Sequence, residues 1–393
     1  MQFKKPEKYI SFSPPWIGSE EEKGIIDSLR SGWITTGPKV QEFEKRLADY
    51  VMAKLGVATF SCTGAIQIAL HVLGIKEGDE VITSPYTFAS TAHAICYHRA
   101  NPVFVDVERD TCNIDPKKIE EKITSKTKAI LPVHFAGHSC DMDPVLDIAK
   151  RRNLFIVEDA AHAIGSKYKN KKIGSIGDIT CFSFYATKNL ATAEGGMAVT
   201  DNEDWARRMR ILTMYGISDA REIWEKRYSK AGSIHYDIVE LGYKCNMTDL
   251  CAAMGLHQLV KLDGFNRKRE EFAQIYDEAF KNHPALQIPE IKGYAKTNRH
   301  LYPILLNLNV LNIQRDSFMN AMKELNVGSS VFFKPLHLHS YYAGTLPYKS
   351  GDFPVAEGLF ERSLCLPVSP VLGKGSIRKV AEVVLYLLEK HKK

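Results

Sequence analysis

No apolar run in this 393-residue chain approaches the ~18 residues a membrane-spanning helix needs. The N-terminal MQFKKPEKYISFSPPW holds no apolar stretch of leader type. The expectation is a cytoplasmic protein, neither secreted nor membrane-bound. Eight cysteines (Cys62, Cys96, Cys112, Cys140, Cys181, Cys245, Cys251 and Cys365) form no CxxC pair. Neither a disulfide framework nor a zinc site is signalled, no metal is expected, and a reducing compartment fits. Charge of one sign is scarce: the net +6 is small for this length, and no basic block has the size of a nucleic-acid footprint. Lys169, Lys171 and Lys172 flank Asn170 and read as a solvated turn between strands. There is no GxGxxG, which argues against a dinucleotide fold. Internal repeats and low-complexity segments are missing as well.

What remains is an ordinary globular composition, 45% hydrophobic and 25% charged, with length for two or three domains. EEEKGIIDSLRSG (20–32) has helical spacing and stops at Gly32; GWITTGP reads as a loop and KVQEFEKRLADYV as a second helix. From residue 56, apolar strands (57–61, 80–84, 101–107, 128–135, 154–159) alternate with helices (64–74, 87–98, 116–124, 144–152). That alternation predicts a largely parallel sheet covered on both faces. Residues 216–240 are polar and irregular, the composition of a mobile loop. A long helical pattern at 247–280, with a break expected near Asp263 and Gly264, links a first domain (1–255) to a smaller α/β domain (256–393). The second mixes strands at 302–308 and 327–333 with helices near 314–325 and 374–391.

Chemistry concentrates in Asn153–Met197. NLFIVEDAAHA is an apolar run that stops on Glu158 and Asp159; ITCFSFYATKNLATAEGGM is a second, ending in Ser183 and then Lys188. Short continuous apolar runs are buried parallel strands, and ligands of open α/β sheets sit at their carboxyl ends. Asp159, Ser183 and Lys188 are therefore expected in one crevice. A lysine, a carboxylate and hydroxyl donors suit pyridoxal phosphate, which needs a Schiff-base amine, an acid opposite its pyridine nitrogen and donors for its phosphate. Taken singly each residue has a plainer reading: Lys188 a surface lysine, Asp159 an N-cap, Glu158 a structural side chain on the opposite face of the strand. Thr63, Gly64 and Ala65 open a helix directly after a strand, where backbone N–H groups favour an anion; Thr63 could equally be the helix cap. Phe88, just past a strand end, could stack on a flat ring or belong to the core. His134 and His162 near strand ends gain meaning only from company.

In order along the chain, SGWITTGPKVQEFE, SCTGA, GIKEGDEVITSPYTFAST, NPVFVDVERDT, AILPVHFAGHSCDMD, VEDAAHAIG, FSFYATKNLATAEGGM and GYKCNMTDLCAAMGLHQL, followed by HLYPI, HLHSYY, FPVAE and SLCLP, resemble the DegT/DnrJ/EryC/StrS sugar aminotransferases almost end to end. The resemblance implies fold type I of pyridoxal-phosphate enzymes: a mostly parallel seven-stranded sheet between helices plus a small C-terminal α/β domain. It implies Lys188 as Schiff-base lysine and general base, Asp159 at the pyridine nitrogen, Phe88 stacked on the ring, and Thr63, Gly64 and Ser183 at the phosphate. His162 would lie beside the ring hydroxyl. Asn246 would reach the neighbouring subunit's phosphate across a homodimer with shared sites. Trp33 and Thr35 of the GWITTGP loop, and His337, would border the substrate.

Further, the resemblance implies that L-glutamate loads the cofactor as pyridoxamine phosphate and leaves as 2-oxoglutarate, after which a keto sugar on a nucleotide diphosphate is aminated. The wording of SGWITTGPK, VEDAAHA and GYKCNMTD is most similar to enzymes acting at C4 of UDP-linked 4-keto sugars, as in the 4-amino-arabinose and bacillosamine branches of glycan and lipopolysaccharide synthesis. Amination at C3 shares most motifs. A sugar dehydratase of the same fold replaces the lysine by histidine, and a non-catalytic regulator would keep only the binding fold. Phe332 and Tyr185 stand where relatives commonly carry histidine, a departure that bears on substrate contacts.

Overall fold

Element boundaries follow the turn signals in the sequence. The computed structural model of the protein describes residues 4–218 and 236–393. Gly32, at φ 80°, closes helix α1 (Ser19–Ser31) in the left-handed conformation that glycine adopts without penalty. Pro38 opens α2 (Pro38–Val51) at N1, where its missing N–H is no loss. The Asp249 carboxylate accepts from the orphan N–H groups of Gly37 (2.8 Å), Lys39 (3.1 Å) and Val40 (3.0 Å) at that helix start.

The alternating section then gives β1 (Leu55–Thr59), α3 (Cys62–Val72), β2 (Glu80–Thr83), α4 (Ala89–Cys96), β3 (Asn101–Phe104), β4 (Thr127–Leu131), α5 (Met142–Arg152) and β5 (Phe155–Asp159). A hairpin, β6 (Lys167–Tyr168) and β7 (Lys171–Lys172), precedes β8 (Ile179–Ser183), β9 (Gly196–Thr200) and α6 (Glu203–Thr213). The sheet runs β1-β9-β8-β5-β4-β2-β3, parallel throughout except for β9, which is antiparallel to both neighbours. This is the mostly parallel seven-stranded sheet expected. Neighbouring residues on each strand face opposite ways. Ile156 and Phe182 pack with α2, α5 and α7 (Asp249–Phe280); Val157 and Cys181 pack with α3, α4 and α6.

A second apolar cluster forms around a smaller antiparallel sheet, β10 (Leu286–Gln287), β12 (Tyr302–Leu306) and β13 (Ser363–Leu366), in the order β10-β12-β13; β11 (Ala295–Lys296) instead joins the hairpin beside β6. Phe272, Tyr276 and Phe280 of α7 pack there with α8 (Arg315–Glu324) and α11 (Lys374–Lys390), while α9 (Ser340–Thr345) and α10 (Pro354–Arg362) lie between. Ile10 reaches the same cluster from the N-terminal segment. Among the described residues no helix is long and apolar enough to cross a membrane.

Three expectations are corrected. Helix α7 runs unbroken through Asp263 and Gly264, where a break was expected. A mid-helix glycine costs about 1 kcal/mol, less than the ~1.5–3 kcal/mol gained by burying each of its neighbours Leu262 and Phe265. The expected helix at 116–124 is two 3₁₀ turns, 116–118 and 120–122, in which only Pro116 and Ile119 are buried. Residues 327–333 form no strand; isolated bridges tie Val327 to Ile10 and Ser330 to Cys365. Most of the irregular stretch at 216–240 lies outside the described residues.

Strand β9 can run against the β1–α3 turn only because residue 196 has no side chain. A Cβ on Gly196 would lie 2.3 Å from the carbonyl carbon of Ser61 and 2.5 Å from the nitrogen of Cys62. Gly196→Ala is therefore expected to destabilise the protein by about 1–3 kcal/mol, the usual cost of overpacking. Urea denaturation measures it, and an unchanged midpoint would mean that the β9–α3 contact is slack.

Candidate active site

Carboxyl ends of β1, β2, β4, β5 and β8 open on one cavity of about 540 Å³. Thr63, Phe88, Asp159, His162, Ser183 and Lys188 all line it, so six of the expected residues come together. They do so because each follows a strand of the same sheet.

Asp159 ends β5, almost wholly buried, with its carboxylate fixed from two sides. Thr91 Oγ1 donates to Oδ2 at 2.7 Å, and the Ala161 N–H donates to Oδ1 at 3.1 Å. Glu158 turns the other way. It accepts from His134 Nε2 (2.8 Å), Thr180 Oγ1 (2.7 Å) and the Gly177 N–H (2.8 Å), a closed structural network. Burial raises the Glu158 pKa, yet the His134 contact and the other donors together hold it below its ordinary value.

Lys188 projects from the loop between β8 and β9. Burial pulls its pKa down to about 8, opposed by the nearby Cys62 and Asp159. The loop is clamped on both sides of the lysine. Ser13 Oγ donates to the Thr187 carbonyl (3.2 Å), and Asn189 Nδ2 donates to Asn266 Oδ1 (2.8 Å) and the Asn298 carbonyl (3.1 Å). Asn189 Oδ1 accepts from His300 Nδ1 at 2.8 Å, which fixes that tautomer. The His300 ring lies 4.4 Å from that of His162. Burial pushes both histidines well below their ordinary pKa, with Lys188 adding to the effect, so both are neutral.

At the β1 end, Ser61 and not Thr63 caps α3: Ser61 Oγ accepts from the Gly64 N–H at 3.1 Å. The Thr63 hydroxyl is left for the cavity. Gly64 packs closely, since a Cβ there would meet Cys245 Cβ at 3.3 Å, tighter than an ordinary contact. Ser183 Oγ accepts only weakly, from the Tyr185 N–H at 3.4 Å. Tyr185, Phe332 and Phe333 form part of the wall.

Four expected residues lie elsewhere. Asn246 Nδ2 donates to Thr36 Oγ1 (2.6 Å), and the Thr35 carbonyl accepts from the Asp249 N–H (2.9 Å), so Asn246, Thr35 and the Trp33 loop gather at the start of α7 and not on this chain's cavity. The structure does not bring His337 to the cavity either. Its Nε2 bonds Glu357 Oε1 at 2.9 Å and its ring packs 4.7 Å from Phe353, fully buried. Glu357 collects the N–H groups of Gly351 and Phe353, so that pair closes the 350–357 turn.

Sequence reasoning missed Ser61, Thr91, Asn189 and His300. Ser61 carried a signal, a serine three residues before a helical glycine after a strand. The other three act through long-range bonds that leave no local pattern.

Pyridoxal phosphate fits this donor set. The first turn of α3 offers N–H groups and Thr63 for a phosphate, Asp159 is a held carboxylate, and His162 Nδ1 is a buried polar atom with no partner within the described residues. An amine near neutrality, a held carboxylate and an anion-binding helix start in one crevice of a mostly parallel sheet define a pyridoxal-phosphate enzyme of the α/β type. The chain belongs to the DegT/DnrJ/EryC1/StrS aminotransferase family, whose model matches residues 15–385. It is 49% identical to MJ1066 of Methanocaldococcus jannaschii over 97% of this chain and 99% of that one. It is 47% identical to the spore coat polysaccharide biosynthesis protein SpsC of Bacillus subtilis over 97% of each. Its fold is similar to that of Spr1654 of Streptococcus pneumoniae, assigned as a sugar aminotransferase. The PMP form of Spr1654 superposes with a TM-score of 0.91 at 35% identity, covering 97% of this chain and 99% of that one; a PLP form is also solved. The family's members are pyridoxal-phosphate-dependent sugar aminotransferases, and this chain is an enzyme of that class.

The lowered Lys188 pKa makes a stability prediction for the cofactor-free protein. The folded value, about 8, lies below the 10.5 of an ordinary lysine, so the unfolded state binds more protons between them and stability rises with pH across that window. The charged amine costs up to about 3 kcal/mol below pH 8. Lys188→Met should stabilise the cofactor-free protein at pH 7, and the gain should shrink by pH 10. Urea titrations at the two pH values check this; an equal gain at both would mean the amine is not desolvated.

Proposed function

We propose that the enzyme moves the amino group of L-glutamate to C4 of a UDP-linked 4-keto sugar, giving a UDP-4-amino sugar and 2-oxoglutarate. The observation that carries the chemistry is a lysine held near neutrality in one cavity with a fixed carboxylate. Similarity to SpsC, named for polysaccharide synthesis, supports a glycan precursor as product. The wording of SGWITTGPK, VEDAAHA and GYKCNMTD supports C4.

When bound, pyridoxal phosphate supplies a carbonyl that takes up and returns the amino group and a ring that accepts electrons. Asp159 holds the proton of the ring nitrogen, and its bonds to Thr91 and Ala161 keep it from turning away. Thr63, Gly64 and Ser183 bind the phosphate, Phe88 lies on the ring face, and His162 stands beside the ring hydroxyl. With a pKa of about 8, about a tenth of Lys188 amines are neutral at pH 7, against fewer than ~0.1% for an ordinary lysine. Lys188 Nζ would be the base that holds the proton between its removal and its return, so one residue would serve both halves of the exchange.

The same reading makes the enzyme a homodimer in which Asn246 and the Trp33–Thr35 loop serve the neighbouring cavity. Their gathering away from their own cavity supports this, as do the exposed Tyr236, Ile238, Val239 and Leu241 close by in sequence. His337 has no place in this substrate wall. A cytoplasmic location fits eight free cysteines.

The test is the visible spectrum of purified protein with pyridoxal phosphate. Glutamate should replace the long-wavelength band by a shorter one, and a UDP-4-keto sugar should restore it faster than 3-keto or dTDP-linked sugars. Lys188→Ala should lose the long-wavelength band and at least ~10²–10⁴-fold in turnover. Faster restoration by a 3-keto sugar moves the acceptor carbon to C3; a band indifferent to amino donors overturns the reading altogether.

A further inference from the structure

Behind the Lys188 loop lies a second cleft, of about 640 Å³, which shares no lining residue with the cofactor cavity. Its walls are the β6–β7 hairpin, the middle of α7 and residues 295–299. Its charge is lopsided. Lys167, Lys172, Arg267, Lys296 and Arg299 line it against two carboxylates, Asp263 and Glu270. Arg299 is already paired with Glu270 (2.9 Å) and Asp277 (3.2 Å), and Asp263 accepts from Tyr50 OH (2.7 Å). Among the described residues, Lys167, Arg267 and Lys296 have no carboxylate partner. Lys172 is not the solvated turn residue that the sequence implied. Its Nζ donates to the Tyr50 carbonyl (2.6 Å) and sits 3.5 Å from the Tyr50 ring centroid. Burial lowers its pKa, opposed by the Asp263 carboxylate, and Lys167 nearby adds to the lowering.

The cleft also has a shaped floor. Gly165 takes φ 84°, and a Cβ there would lie 2.6 Å from Asn266 Nδ2 and 2.9 Å from Tyr50 OH, so the chain keeps this spot bare. Three cations without a carboxylate partner among the described residues, Lys167, Arg267 and Lys296, around one concave site call for an anion with more than one charge. Arg267 presents paired N–H donors that match two oxygens of a phosphoryl group.

We propose that this cleft is a second anion site, separate from the cofactor cavity, that takes a diphosphate group. The group could come from free pyrophosphate or from a nucleoside diphosphate. Occupancy would be felt at the catalytic loop, because Asn266 and Asn298, on the cleft wall, are the two acceptors of Asn189, the residue after Lys188.

The test is calorimetric titration of the full-length, pyridoxal-phosphate-loaded enzyme, so that the cofactor's own phosphate site is filled. Pyrophosphate and UDP are titrated separately into wild type and into the double variant Arg267→Gln, Lys296→Gln, both exposed side chains outside the catalytic machinery. Saturable binding of either probe at one per chain, weakened at least about tenfold in the variant with the visible cofactor band unchanged, supports the site. If both probes bind, the diphosphate suffices; if only UDP binds, the nucleoside is required. No saturable binding of either probe, or equal affinity in the variant, overturns the proposal. Because binding is read without turnover, its failure leaves the amino-transfer reading standing, and the converse holds too.

Discussion

The close approach of β9 to the start of α3 is the constraint on which the site depends. Gly196 pairs with Thr59 on one side and Ser183 on the other, and its bare Cα admits the Ser61–Cys62 backbone. That contact draws the anion-binding turn after β1 toward the end of β8, two strands away in the sheet. Without it, Thr63 and Ser183 would border different clefts. The one antiparallel strand of the sheet is thus what lets a phosphate-sized group be held from both sides, while β5 next to β8 presents Asp159 at the far end.

Much of this was legible in residue order. Apolar runs ending in Asp159 and Ser183 announced strands whose ends must converge, and Thr63–Ala65 announced a helix that starts directly after a strand at the same edge. The direction of β9 was not legible, since MAVT reads the same in either orientation and only the crossover decides it. Nor was the continuity of α7, where a glycine that argues locally for a break is overruled by Leu262 and Phe265 on either side. His337 misled for a related reason. A histidine in a motif looks available, and only the tertiary structure reveals Glu357 waiting for it.

The clamps on the catalytic loop show why its supporting residues were invisible. Asn189 ties the loop to α7 through Asn266, to the 298 turn, and to His300, partners 77, 109 and 111 residues away in sequence. No local pattern encodes such a node. Physically it matters because a desolvated amine must be held by its surroundings; a loose loop would let Lys188 swing out and recover its ordinary pKa.

Electrostatics of the cavity follows from these placements. Lys188, His162 and His300 are all pushed toward their neutral forms by burial, and each cationic neighbour would reinforce the shift in the others. Had Glu158 pointed inward, a second carboxylate would have raised the lysine pKa and shrunk its neutral fraction further. The pleat sends Glu158 to the opposite face, where His134, Thr180 and Gly177 satisfy it. The cavity therefore carries a held carboxylate at the end of β5 and an anion-seeking helix start at the end of β1, with two neutral imidazoles and a lysine of lowered pKa between. Such a gradient orients a molecule bearing a basic ring nitrogen at one end and a phosphate at the other, and would work against the reverse pose at both ends.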